Sequence, residues 1–149
     1  MRVLLDTNIV FDMLCKRPFD EEGLLQLKVM QAFGDVELWV SSKSYTDLFY
    51  VMRRELESPD AQDILEESFD WLHVCSVEGD DVKAALGARW HDFEDSLVNV
   101  CAEKVKADYL VTRDERGFEN ASIAHGNASS FMAYVLEETG VSYALADWG

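Results

Sequence analysis

Cysteine is scarce in this 149-residue chain: Cys15, Cys75 and Cys101 form an odd set with no CxxC spacing. That pattern supports neither a disulfide framework nor a zinc knuckle, and it reads as three small buried hydrophobes. Histidine is equally sparse, and His73, His91 and His125 stand far apart, with none of the spacing of a metal-ligand set. Basic residues number 13 against 29 acidic ones, for a net charge of -16. A broad electrostatic grip on nucleic acid is therefore excluded, and any polyanion would need positive charge supplied locally. No apolar run approaches the roughly 18 to 20 residues of a membrane span. The N-terminus carries no basic stretch followed by a hydrophobic core and cleavage site. A cytoplasmic, soluble chain without membrane contact is the expectation.

The chain contains no repeat, low-complexity tract or linker, so residues 1–149 are read as a single domain. With 48% hydrophobic and 11% aromatic residues it has the makings of one sizeable core. The opening MRVLLDTNIVFDML puts a strand at 2–5, RVLL, and a helix after Asp6 that stops at Lys16-Arg17-Pro18. Leu24, Leu25, Leu27, Val29 and Met30 predict a helix between Phe19 and Phe33, and ELWVS predicts a strand over 37–41. Ser41-Ser42 read as the cap of a helix reaching about Leu56, and Ser58 as the cap of one ending near Trp71, with Pro59 at its first position. A strand follows over 72–77, a helix from Asp80 to Trp90 weakened at Gly87, a helix over 91–107 and a strand over 108–112. A faint strand at Ser122–His125 precedes a helix opened by Asn127 and stopped by Gly140. The tail, 141–149, is either an edge strand or a loose end. Alternating strands and helices predict an α/β fold with a parallel sheet covered on both faces.

In such a sheet, functional groups gather beyond the carboxyl ends of the strands, where strand order reverses. Asp6 follows the first strand directly, and Asp114 follows DYLVT at the same rim if the first and fourth strands are neighbours. Asp47, in SYTDLFYVM, lies about two turns into the helix after the second strand. Asp92, Asp95, Ser96 and Asn99 share a polar stripe on the helix that begins near residue 92. Each acid has an ordinary alternative. Asp6 serves equally as a helix cap, Asp92, Glu94 and Asp95 as complements to a helix dipole, Asp114 as a turn residue, and Asp47 as a solvated surface group. Taken together, four carboxylates on one rim would repel one another unless a cation sat among them. Oxygen-only ligands favour Mg2+ or Mn2+, which activate water and stabilise a leaving oxygen in phosphodiester hydrolysis.

LLDTNIVFDML, SYTDLFYVMRRE and HDFEDSLVNVCAEKVKADYLVTRDERGF, followed by a short strand and a closing helix, resemble the PIN domain family over Met1 to about Glu138. The likeness is greatest to the VapC-like branch, ribonuclease toxins neutralised by an antitoxin. The resemblance implies a three-layer α/β/α sandwich with a mostly parallel sheet, and an acidic Mg2+- or Mn2+-binding pocket that cleaves single-stranded RNA. It further implies that Asp6, Asp95 and Asp114 occupy the family's acidic positions and Asp47 the one most often held by Glu. Asn8 and Thr112 then correspond to supporting or substrate-orienting groups beside the ligands. Asp92, one turn before Asp95, competes with it for its role, and Gly117 stands where many relatives carry an Asp. Lys43, Arg113 and Arg116 are expected at the same rim, within reach of phosphates.

The family likeness also implies a homodimer and an antitoxin partner, with Phe19, Trp39, Tyr50 or Trp90 as candidate contact residues. The alternative is a catalytically weak or inactive PIN-fold protein used as a protein-binding module. Phosphoryl transfer through an aspartyl intermediate on Asp6 fits poorly, because that chemistry wants a second Asp two residues on and this chain has Asn8 there.

Overall fold

The apolar run from Arg2 to Leu5 forms β1, at the centre of a five-stranded parallel sheet in the computed structural model, which describes residues 1–17 and 19–143. The elements that follow are α1 (Thr7–Cys15), α2 (Glu21–Ala32), β2 (Glu37–Ser41), α3 (Ser44–Met52) and α4 (Ser58–Glu67). Then come β3 (Leu72–Cys75), α5 (Gly79–Gly87), α6 (Phe93–Lys104), β4 (Tyr109–Val111), β5 (Ala124–Gly126) and α7 (Ala128–Thr139). The strand order is β3-β2-β1-β4-β5. The chain therefore winds outward from β1 in one direction and then returns to its other side, so the order reverses between β1 and β4, as anticipated. Arg2 to Leu5 align with Glu37 to Val40, and Val3 to Leu5 with Tyr109 to Val111.

Successive side chains of a strand point to opposite faces, and both faces here are covered. Val3, Leu5, Leu38, Val40, Tyr109 and Val111 pack with apolar residues of α1, α2, α3, α4 and α7. Leu4, Leu110 and Cys75 face Val98, Cys101 and Ala102 of α6, with Phe118 sealing that layer. The result is the three-layer α/β/α sandwich with a parallel sheet that was expected from sequence. Among the described residues, no helix is long and apolar enough to cross a membrane.

Several boundaries differ from the sequence expectation. Ser41 and Ser42 do not cap α3. The Ser41 hydroxyl accepts from the Lys43 amide (3.3 Å) and the Ser42 hydroxyl from the Val77 amide (3.1 Å), so both stabilise the crossing from the sheet and the helix starts later, at Ser44. Asp47 consequently lies in the first turn of α3, and that helix ends at Met52 instead of Leu56. Ser58 is the first residue of α4, whose N-cap is Glu57, and the helix gives way to a 3-10 turn at Ser68–Asp70 before Trp71. Glu78 and Asp81 form a capping box that opens α5, and Gly87 is its last residue. Asn127 caps α7 by accepting from Ser130 N (2.8 Å), and Gly140 ends it with φ 71°. Residues 144–149, most of the tail, lie outside the described residues. Of the aromatic residues named for a dimer contact, Trp39 stacks on His73 and Trp90 packs edge-on to Phe118, whereas Phe19 and Tyr50 remain exposed.

Candidate active site

β1 runs directly into Asp6, which is only 7% exposed and is held from three sides. Its amide donates to Val111 O (2.9 Å), one carboxylate oxygen accepts from Thr7 N (2.8 Å), and the other accepts from the Thr112 hydroxyl (2.9 Å). Asp6 thus caps α1 while its carboxylate also lines the cleft at the strand ends. Thr112 is fully buried, and its hydroxyl also accepts from the Asp114 amide (3.0 Å). One side chain therefore fixes Asp6 and the turn carrying Asp114. In that turn an Asp114 oxygen accepts from Gly117 N (3.0 Å).

The third acid arrives from α6. Asp92 is the N-cap of that helix and accepts from the Asp95 amide (3.1 Å), which places Asp95 in the first turn. Asp92 is thus the cap and not a member of the helical stripe. The Asp95 carboxyl is pushed up to about 7, by burial first and then by the charges of Asp92, Asp6, Asp114 and Glu94. The Asp6 carboxyl is raised as well, chiefly by burial, against the lowering effect of its hydrogen bonds from Thr112 and Thr7.

Gly117 stands where a side chain would interfere. A Cβ there would collide with an Asp95 oxygen and come within 2.7 Å of an Asp114 oxygen. Both carboxylates thus meet over the bare face of this glycine. Because the colliding atoms are the ends of rotatable side chains, Gly117→Ala should leave the melting temperature nearly unchanged. If the two carboxylates together hold a divalent ion, it should weaken that binding by on the order of 10- to 100-fold, as displaced supporting groups do at metal sites. A thermal melt beside a Mn2+ titration checks both halves.

The four acids share one cleft but not one environment. Asp47 lines the same cleft, but one of its oxygens is bound by Lys43 Nζ (2.8 Å), which also reaches Glu94 (3.0 Å). Burial pulls the Lys43 ammonium down, yet the hydrogen bonds and charges of Asp47 and Glu94 outweigh it and leave it raised. Lys43 is therefore at the rim but already committed to two carboxylates. Asn8 is an exposed part of the cleft wall. Arg113 does not turn towards the cleft. Its Nε lies 3.2 Å from an oxygen of the fully buried Asp12, and its guanidinium sits over the Phe19 ring at 5.1 Å. Arg116 is exposed on the 3-10 turn Arg116–Phe118, outside the cleft wall.

The cleft has a volume of about 580 Å3. Its wall includes Phe11, Arg17, Tyr50 and Arg54, none of which was singled out from sequence for this role. Asp47, Tyr50, Val51 and Arg54 follow the i, i+3, i+4, i+7 spacing of one helical face, so part of that signal was present. Among the described residues, no three carboxylate, histidine or cysteine side chains close around a single point as a metal cage. The donor chemistry nevertheless suits a hard divalent ion, since Asp6, Asp95 and Asp114 offer oxygen alone and repel one another.

The Asp95 shift has a measurable consequence for stability. Its carboxyl keeps a proton up to about pH 7 in the folded protein but loses it near the ordinary carboxylate value when unfolded. The metal-free fold therefore loses stability as pH rises towards 8, because the unfolded chain binds fewer protons over that range. Asp95→Asn should flatten the dependence and add about 1–2 kcal/mol at pH 8, after discounting for solvent screening. Chemical denaturation at pH 5 and pH 8 in chelator checks the sign.

A sequence-family model described as the PIN domain matches residues 2–116. No curated protein matches the chain. Among solved structures, VapBC2 from Rickettsia felis, bound to a promoter DNA fragment, aligns with a TM-score of 0.66 at 18% identity, covering 85% of this chain and 98% of its own. VapBC-1 from nontypeable Haemophilus influenzae gives 0.66 at 17%, over 87% and 99%. A toxin-antitoxin complex from Klebsiella pneumoniae gives 0.58 at 14%, over 80% and 92%.

Proposed function

The chain belongs to the PIN domain family, and we propose that it is a divalent-metal-dependent ribonuclease that hydrolyses phosphodiester bonds in single-stranded RNA. The observation that carries this reading is the meeting of Asp6, Asp95 and Asp114 at the point of strand reversal, with the Asp95 and Asp114 carboxylates converging over the bare face of Gly117. Mg2+ or Mn2+ held by these three residues would supply Lewis-acid stabilisation of the phosphate and an activated water.

The protein's own part follows from its contacts. Asp6 is fixed by Thr7 and Thr112, so its oxygens are aimed without reorganisation when substrate enters. Thr112 holds Asp114 in step with Asp6 through the second use of its hydroxyl. Asp95 is presented to the site by the first turn of α6, whose cap, Asp92, accepts from its amide. Lys43, released from Asp47 or Glu94 by an incoming phosphate, would add positive charge at the rim.

We extend the reading to the protein's setting: the toxin half of a toxin-antitoxin pair, cytoplasmic, acting as a homodimer and silenced by an antitoxin. The VapBC assemblies that share its fold support a partner of that kind. A second reading, a PIN-fold binding module with little catalysis, draws on one observation, the neutralisation of Asp47 by Lys43. Purified protein incubated with mixed short single-stranded RNAs in Mn2+ or in chelator separates the two. Metal-dependent cutting is expected, and intact RNA under both conditions would leave the binding module standing.

A further inference from the structure

The cleft's cations are distributed unevenly, and that unevenness points to a substrate path. Three basic residues line the wall: Lys43, Arg17 and Arg54. Lys43 is bound to Asp47 and Glu94. Among the described residues, neither arginine has a carboxylate partner. Each instead rests against an aromatic ring of the same wall, Arg17 over Phe11 at 5.0 Å and Arg54 over Tyr50 at 5.8 Å. In a chain with 29 acids and 13 bases, two arginines beside a carboxylate floor make no ion pair with it, Arg17 acting on Asp12 only as a neighbouring charge, and their donors remain available. A guanidinium stacked on a ring keeps its edge donors free, the arrangement suited to gripping phosphate oxygens.

Tyr50 supplies the second half of the pattern. It is 70% exposed on α3, one helical turn after Asp47, so its ring faces solvent at the mouth of the cleft. An exposed ring beside a free guanidinium matches a strand that alternates planar bases with phosphates. We propose that Tyr50, Arg54 and Arg17 form a binding strip for an unpaired nucleotide step next to the cleaved bond, with a base stacked on Tyr50 and its flanking phosphates held by the arginines. This rests on the ribonuclease reading for the identity of the strand. Stacking needs an open base face, so the strip selects single-stranded over paired RNA, and it would take substrate through the α1 and α3 side of the cleft.

The test measures binding on an Asp95→Asn background in Mg2+, using a labelled single-stranded RNA of about twelve nucleotides at several salt concentrations. Arg17→Ala and Arg54→Ala should each reduce the slope of log affinity against log salt by about 0.7. Tyr50→Ala should weaken binding by on the order of tenfold or more, Tyr50→Phe should restore it, and a fully paired hairpin should not respond to Tyr50→Ala. Lys83→Ala, on exposed α5, serves as a control expected to match the background. Unchanged slopes and unchanged affinity in the three strip variants would overturn the proposal and leave these residues to a protein partner. Metal-dependent cleavage by the unsubstituted protein is measured in parallel. If it persists while the variants bind like the background, only the strip falls. If it is absent while the variants still lose RNA binding, the strip stands and the nuclease reading falls.

Discussion

Replacing Asp6 with Asn is expected to lower RNA cleavage by on the order of a thousandfold, about 4 kcal/mol of added barrier. The substitution is nearly isosteric, and the side-chain oxygen can still accept from Thr7 N, so the fold should survive. What changes is charge at the most rigidly held of the three acids. An uncharged amide is a poor ligand for a hard divalent ion, and the Thr112 hydroxyl loses the carboxylate to which it donates. The Asp95 carboxyl should also fall from about 7, because Asp6 is one of the charges lifting it. Single-turnover cleavage in Mn2+ gives the rate. The melting temperature with and without Mn2+ gives an independent measure, since the ion-induced rise should vanish with the activity. Cleavage equal to that of the unsubstituted protein would remove Asp6 from the site.

Arg113→Ala should be the most destabilising change near the cleft, at about 3–5 kcal/mol, because it strands a buried charge. Asp12 is 1% exposed on α1, and among the described residues its carboxylate accepts no well-formed hydrogen bond; the ion pair with Arg113 at 3.2 Å is its main compensation. At roughly 3 °C per kcal/mol for a chain of this size, the melting temperature should drop by about 10 °C. Burial raises the Asp12 carboxyl even against the charges of Arg113 and Arg17. A carboxyl that holds its proton more tightly when folded favours the fold at low pH, so the deficit should be largest above neutrality and shrink on acidification. Adding Asp12→Leu to Arg113→Ala should restore most of the loss, because the charge that was stranded is gone. A double variant no more stable than the single one would mean the ion pair is not the cause.

Much of this architecture could be read from local pattern. RVLL and ELWVS mark strands by continuous apolar character, and Asn127 and Gly140 bound α7 by chemistry that acts within a few residues. The positions of Asp6 and Asp114 followed from strand ends and one topological rule. What local pattern could not supply was side-chain direction. Arg113 is adjacent to Asp114 in sequence yet turns to Asp12, a partner 101 positions away that only the folded sheet brings near. Ser41 and Ser42 look like caps until Val77 and Lys43 are seen to take their hydroxyls. Asp47 looked like a fourth free acid because nothing in SYTDLFYVM reveals that Lys43, one turn earlier, closes on it.

The order of the strands in the sheet bears on when the acidic pocket is assembled. Its central strand precedes in the chain the neighbour that leads into Thr112 and Asp114, and the Thr112–Asp6 hydrogen bond spans 106 positions. A nascent chain halted before Thr112 carries Asp6 without the threonine that aims it and without its acidic counterpart. The carboxylate of Asp6 therefore gains its aiming hydroxyl only once a contact spanning 106 residues has closed, so the pocket matures with the sheet and not with any local segment.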